Sequence, residues 1–298
     1  MKILISGASG LVGKNLIPTL IAKGHEVHRL VRRTPKAADE IEWNAETGFG
    51  ESEQAKLENF AAVVHLAGDN VASENWSDEK KRKIKESRTV GTRVLVDALK
   101  KCVHPPKHFL SASATGFYGN SGDEILNEES AKGKGFLPEV CAAWEDEIRK
   151  AEAFARVVYL RIGVVLAKDG GALEKMLTPF KFGVGGTIGS GKQYMSWIAL
   201  DDLIKMIHFV LENESLRGAV NAVAPHAVTN AEFTKTLGKV LNRPTFLPVP
   251  EFAVKMLFGE MGETLLLEST RVMPKKLLDA GFEFEFPNLE AAMKHVLN

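Results

Sequence analysis

Unbroken apolar runs alternate with helical periodicity along the first two-thirds of the chain. Lys2–Ser6 and residues 26–32, 61–68, 108–113 and 157–167 are rich in Val, Ile and Leu and lack in–out alternation, so they read as buried strands. Residues 11–23, 78–101, 137–154 and 200–213 carry apolar side chains three and four apart, the spacing of a helix with one buried face. Strands apolar on both sides, separated by helices, predict a parallel sheet covered on both faces. Between Arg33 and Asn59 the pattern weakens, giving one short strand at 40–44 and no strong helix. Beyond Gly183 the chain turns glycine-rich, then gives a helix, a strand at 219–223 and several helices ending at Asn298. The expectation is an α/β fold with its main unit over 1–168 and a smaller lobe over 169–298, the 219–223 strand returning to the main sheet.

Composition narrows the class. Lys+Arg and Asp+Glu both total 38 in 298 residues, so no overall basic field exists to hold nucleic acid or an anionic membrane. Two cysteines, Cys102 and Cys141, make no disulfide framework and suit a reducing compartment. The N-terminus meets Gly7 too early for a signal-peptide core, and the most apolar stretch, 157–167, is interrupted by Arg161 and too short to span a bilayer. These features predict a cytoplasmic protein, monomeric or homodimeric, with no metal site.

The first strand runs into "SGASGLVG", where Gly7, Gly10 and Gly13 are spaced G-x-x-G-x-x-G before the first helix. The first glycine allows a tight turn, the second lets backbone approach a pyrophosphate, and the third lets the helix pack on the strand. Unpaired N–H groups and the helix dipole then favour phosphate. This strand–turn–helix setting predicts a dinucleotide site in a Rossmann, doubly wound sheet, with Ser9, Leu11 and Val12 in the turn. After the second strand stand Arg32 and Arg33, with no acid until Asp39. A 2′-phosphate needs cations where a ribose hydroxyl needs a carboxylate, so the pair predicts NADP.

Longer stretches resemble the extended short-chain dehydrogenase/reductases, the NAD(P)-dependent epimerase/dehydratase family, nearly end to end. "VVHLAG" at 63–68 is similar to the strand beneath the cofactor, and "SRTVGTRVLVDAL" at 87–99 to the helix that follows it, with Arg88 in place of an asparagine. "SASATGFYG" (111–119) resembles the family's catalytic serine/threonine strand, and "GSGKQYMSWIALDDL" (189–203) its substrate-side segment. "CAAWE" and "NAVAPHAVTNAEF" narrow the likeness to an atypical subgroup known as epimerase family proteins and, in some genomes, as cell-division inhibitors. The resemblance implies cofactor contacts from the glycine turn, Arg32, Leu66, Ala67, Gly68, Arg88 and Val165. It implies substrate contacts from Gly189, Gly191, Lys192, Gln193 and Trp197, on a small polar molecule.

The same family carries a Tyr-x-x-x-Lys proton relay on the helix after the serine strand. Here "VCAAWEDE" stands there, and the pair falls on Val140/Trp144 or Cys141/Glu145 depending on register. Four residues after Tyr118, Tyr159 and Tyr194 come Gly122, Gly163 and Ile198, so no other tyrosine supplies the relay. The serine position falls on Ala114, flanked by Ser113 and Thr115. Two readings follow. In one, Ser113, Thr115 or Tyr118 rebuilds catalysis in an oxidoreductase or epimerase; in the other, the protein binds NADP(H) with little turnover, as a sensor or regulator. Cys141 reads as a packing residue, because a neighbouring carboxylate raises a thiol's pKa. The glycines around 189–191 read equally as an anion-binding nest or a loop between lobes.

Overall fold

The computed structural model describes residues 1–297, so the terminal Asn298 lies outside it. The chain runs β1 (Lys2–Ser6), α1 (Leu11–Ala22), β2 (Glu26–Val31), β3 (Glu40–Glu42), α2 (Glu51–Ala55), β4 (Ala62–His65), α3 (Asp78–Lys100) and β5 (His108–Ala114). It continues through β6 (Ile125–Leu126), α4 (Phe136–Arg149), β7 (Arg156–Ile162), β8 (Val164–Leu166) and α5 (Gly171–Lys181). The remainder is β9 (Tyr194–Met195), β10 (Trp197–Ala199), α6 (Leu200–Glu212), β11 (Gly218–Ala222), β12 (Val228–Thr229), α7 (Asn230–Leu241), α8 (Glu251–Gly262), β13 (Arg271–Val272), α9 (Lys275–Asp279) and α10 (Leu289–Leu297).

Seven strands form one parallel sheet in the order β11-β7-β5-β4-β1-β2-β3. Its faces are covered as the unalternating strands require: α1 and α6 pack on one, with Leu16, Leu20, Leu203 and Ile207 fully buried, and α3 and α4 on the other, with Leu95, Leu99 and Ile148. A separate apolar cluster joins α5, α7 and α10 around Leu173, Leu237 and Met293. The chain reverses direction across the sheet between β1 and β4, which opens a crevice at their carboxyl ends, the usual ligand position in such folds.

Three differences from the sequence pattern have local causes. The 157–167 run divides into β7 and β8 at Gly163, where any Cβ would lie 2.6 Å from the Ser196 carbonyl oxygen. β8 accordingly leaves the main sheet and pairs with β10. A one-turn helix, α2, occupies the weakly patterned region, and α5 forms where the sequence suggested no element. Pro179 inside α5 masks that helix in the sequence.

Candidate active-site cleft

The glycine turn is built by close backbone approach. Gly7 has φ +69°, and a Cβ on it would lie 2.7 Å from the Leu66 carbonyl carbon. A Cβ on Gly13 would come 2.4 Å from the Gly7 oxygen, so the first turn of α1 rests directly on the loop. The N-cap is Gly10, with no side-chain cap and no acid in the first turn, which leaves the N–H groups at the start of α1 free for an anion. The start of α5 lies over Leu11, since a Cβ on Gly171 would meet Leu11 Cδ2 at 3.0 Å. Val165, just before it, is half-buried against the core.

The two arginines after β2 differ. Arg33, itself exposed, donates to both carboxylate oxygens of the buried Glu40 at 2.8 and 2.7 Å. Arg32 is exposed, makes no ion pair among the described residues, and lines a cavity of about 600 Å³ with Trp43 and the 44–50 turn.

Behind the glycine turn a buried chain reaches α4. Ser6 Oγ accepts from the backbone N–H groups of Leu66 and Ala67 at 3.1 and 3.3 Å and lies 2.6 Å from His65 Nδ1. With both lone pairs engaged, the Ser6 hydroxyl must donate to Nδ1, which puts the imidazole proton on Nε2. Nε2 then donates to Thr92 Oγ1 at 3.0 Å, which also accepts from Trp144 Nε1 at 3.0 Å. Trp144 is thus fixed in the buried layer between α4 and the sheet.

Burial lowers the His65 pKa to about 4. The folded value lies below the unfolded one near 6.5, so the folded state binds fewer protons. The stability His65 contributes is complete above about pH 6.5 and is lost as pH falls through about 4. Between pH 7 and 4, urea unfolding should reveal a loss on the order of 3 kcal/mol from this group, absent in His65→Asn. An identical slope in the variant would assign the acid sensitivity elsewhere.

Two of the three expected proton donors, Ser113 and Tyr118, are buried. Arg161 on β7 makes a bidentate pair with Glu145 of α4 at 2.8 and 2.9 Å, and both side chains are buried. Ser113 Oγ donates to Glu145 Oε1 at 2.8 Å, and Tyr118 Oη accepts from Arg161 Nη1 at 2.9 Å and donates to Asn221 Oδ1 at 2.7 Å. Burial alone would lower the Arg161 pKa, but the Glu145 hydrogen bonds and charge reverse the sign. Burial likewise pushes the Tyr118 phenol up, making it a poorer acid. Ser113 and Tyr118 are therefore members of a buried ionic cluster with Glu145 and Arg161. Thr115 opens a short turn of helix, half-buried.

Arg161 was visible in the sequence only as an interruption. A buried arginine in a strand covered on both faces needs polar partners, which the Val210, Leu211 and Leu216 carbonyls supply for Arg156 and Glu145 on the preceding helix supplies for Arg161. Cys141, one turn before Glu145, is buried, and burial followed by the Glu145 charge pushes its thiol up to about 12. Such a thiol is a packing group and no nucleophile at neutral pH.

The substrate-side segment is also committed. Gly189 and Gly191 have φ of +57° and +70°, but their N–H groups donate to the carbonyls of Val249 and Ile188 at 2.8 and 3.1 Å, so they form a closed turn, not a nest. Gln193 Nε2 donates to the Ile188 and Leu266 carbonyls, both at 2.9 Å. Trp197 belongs to the apolar core of the lobe and donates to the His226 carbonyl. Lys192 alone of the five is exposed. A cavity of about 410 Å³ lies instead between the start of α4 (Gly135, Phe136, Pro138) and the α8 region.

Comparison with known proteins agrees with this architecture. Residues 3–222 match the model of the NAD dependent epimerase/dehydratase family, and residues 249–296 match a domain of unknown function, DUF1731. An epimerase family protein of Mycobacterium leprae is 40% identical over 294 residues, covering 98% of this chain and 94% of that protein. The crystal structure of the human epimerase family protein SDR39U1 with NADPH superposes with a TM-score of 0.91 at 34% identity, covering 100% of this chain and 99% of that one. A nucleoside-diphosphate sugar epimerase from Corynebacterium glutamicum gives a TM-score of 0.82 at 34% identity, and this chain spans 58% of its length.

Proposed function

Because this chain belongs to the NAD-dependent epimerase/dehydratase family, we propose that it binds NADP(H) across the carboxyl ends of β1 and β4. The observation that carries the reading is the cradle itself: Gly7 and Gly13 leave no room for a Cβ, and the N-terminus of α1 offers N–H groups without a capping side chain. In this reading residues 9–12 receive the pyrophosphate, Arg32 the 2′-phosphate, and Leu66, Ala67, Gly68, Arg88 and Val165 flank the dinucleotide. The NADPH in the human relative's crystal supports it. The chemistry such a cofactor supplies is hydride transfer.

Arg32 is the free cation of the pair, so selectivity should rest on it. Calorimetry should give NADPH at least about tenfold tighter binding than NADH, since a charged contact contributes roughly 1.5–3 kcal/mol. Arg32→Ala should remove most of that preference. Equal affinities in the unmutated protein would sink the assignment.

Turnover is the finer part of the proposal. The protein resembles an oxidoreductase or epimerase acting on a small polar substrate, but Ser113 and Tyr118 are held in the ionic cluster. That commitment favours a protein of weak or no turnover, serving as an NADP(H) sensor or regulatory partner. A positioned proton donor contributes about 10²–10⁴-fold to such reactions, and Thr115 is the only one of the three expected hydroxyls outside the cluster. Stopped-flow oxidation of NADPH against aldehydes, ketones, quinones and sugar nucleotides should therefore be slow. Any substrate reaching kcat/KM of about 10⁴ M⁻¹s⁻¹ would restore the enzyme reading.

A further inference from the structure

Helix α8 carries its apolar residues outward. Before Gly259 breaks it, with φ +55° and ψ −142°, the helix turns Glu251 and Lys255 to the cavity of about 410 Å³ beside α4. Phe252, Met256 and Leu257 instead stand 70, 75 and 58% exposed, and Val254 is the one buried residue of that stretch. A surface helix ordinarily buries its apolar stripe and shows the charged one. Packing fixes the orientation: Asn75 Nδ2 donates to the Leu257 carbonyl at 3.1 Å, and Lys81 pairs with Glu260. Rolling the apolar side inward would break both contacts.

The exposed surface continues at the start of the helix. Pro250, the N-cap, joins α8 to the 244–249 segment, which bridges residues 183–188 at Gly186–Phe246 and Ile188–Val249. Phe246 on this ribbon is 75% exposed, and Phe182, which leads into its other segment, 80%. Single exposed apolar residues are ordinary, whereas a contiguous patch beyond a few hundred Å² marks an interface. At about 150–250 Å² per aromatic side chain, the three phenylalanines alone present roughly 350–550 Å². Met256, Leu257 and the half-exposed Leu247 bring the patch towards the ~800 Å² per partner of a standard interface.

We propose that this face joins two copies of the chain about a two-fold axis, α8 packing antiparallel on α8 of the second copy. Phe252 and Met256 are one turn apart, so each meets the other's counterpart, the reciprocal contact that a two-fold requires. Their i, i+4 ridge is also the one most often interdigitated between packed helices. Charge permits the pairing, because Lys255 pairs with Glu263 and Glu260 with Lys81 inside each chain, and the apolar row itself carries no charge. An anionic membrane suits the face poorly, since residues 251–263 hold Glu251, Glu260 and Glu263 against Lys255 alone.

Sedimentation equilibrium of the full chain from about 1 to 100 µM should show a dimer with a Kd in the micromolar range. Met256→Asp puts a carboxylate at the centre of the pairing and should raise that Kd at least about 30-fold; Phe246→Asp on the ribbon should raise it as well. Val103→Asp, at an apolar residue 79% exposed in the α3–β5 connection, is the control and should leave the dimer unchanged. Far-UV circular dichroism reports whether each variant folds, and Phe252→Ala serves if Met256→Asp does not. A monomer throughout this range overturns the proposal. So does a dimer that Met256→Asp and Phe252→Ala leave intact, or one that Val103→Asp weakens as much as they do, since the interface would then lie elsewhere. A monomer that sediments with phosphatidylcholine/phosphatidylserine vesicles, and no longer does so as Met256→Asp, would overturn it too and make the face a membrane surface.

Discussion

Glu145→Leu should lower the free energy of unfolding by about 3–5 kcal/mol, the range for removing one partner of a buried ion pair. The substitution leaves the Arg161 guanidinium without its two carboxylate contacts and the Ser113 hydroxyl without its acceptor. Arg161 retains Tyr118 Oη and the Phe117 ring, whose centroid is 3.5 Å from its Cζ, and neither carries an opposite charge. Glu145→Gln should cost less, because one oxygen still accepts. The double variant Glu145→Leu/Arg161→Met should recover part of the loss, since an apolar pair of similar volume removes the uncompensated charge. Urea unfolding of the four proteins tests this. A loss below about 1 kcal/mol in Glu145→Leu would mean that the cluster is solvated and open, which would return Ser113 and Tyr118 to the list of possible proton donors.

Gly13→Ala should abolish cofactor binding while leaving a folded chain. The added Cβ would lie 2.4 Å from the Gly7 oxygen and 2.8 Å from Ala8 Cα, both backbone atoms with little freedom to yield. Helix α1 must then withdraw from the turn, and the N–H groups at its start leave the position where they receive phosphate. NADPH affinity should fall at least about 100-fold, a loss of roughly 2.7 kcal/mol, with far-UV circular dichroism unchanged. Gly10→Ala is the matched control: its Cβ would stand 3.3 Å from the Gly7 oxygen, a contact that a small shift relieves. Its affinity should fall far less. Binding by Gly13→Ala within threefold of the unmutated protein would show that the dinucleotide does not use this turn.

The parallel sheet, both its covering faces and the glycine turn were legible in the sequence. Periodicity and the unalternating strands report burial residue by residue, and a glycine turn between a strand and a helix depends on neighbours within the same dozen residues. That "VCAAWEDE" contains no Tyr-x-x-x-Lys spacing is read from the sequence directly, since that spacing lies on one helix. Helix α5 was not legible, because Pro179 and the glycines around it contradict a helix locally, while packing of Leu173, Leu177 and Phe180 on the lobe core maintains it.

What the tertiary structure alone decided is which charges meet. Arg32 and Arg33 are adjacent and alike in sequence; Arg33 is consumed by Glu40 and Arg32 is left free. Ser113, Tyr118, Glu145 and Arg161 come from three elements and the turn after β5, and only the stacking of α4 on β5 and β7 brings them within hydrogen-bond distance. Arg88 stays without a counter-ion because Lys80, two turns earlier on the same helix, takes the Asp69 carboxylate. Backbone pattern follows from local sterics and burial, which each short segment carries in itself. Charge pairing depends on distances of 3–4 Å between residues far apart in the chain, and those distances exist only once the layers have packed.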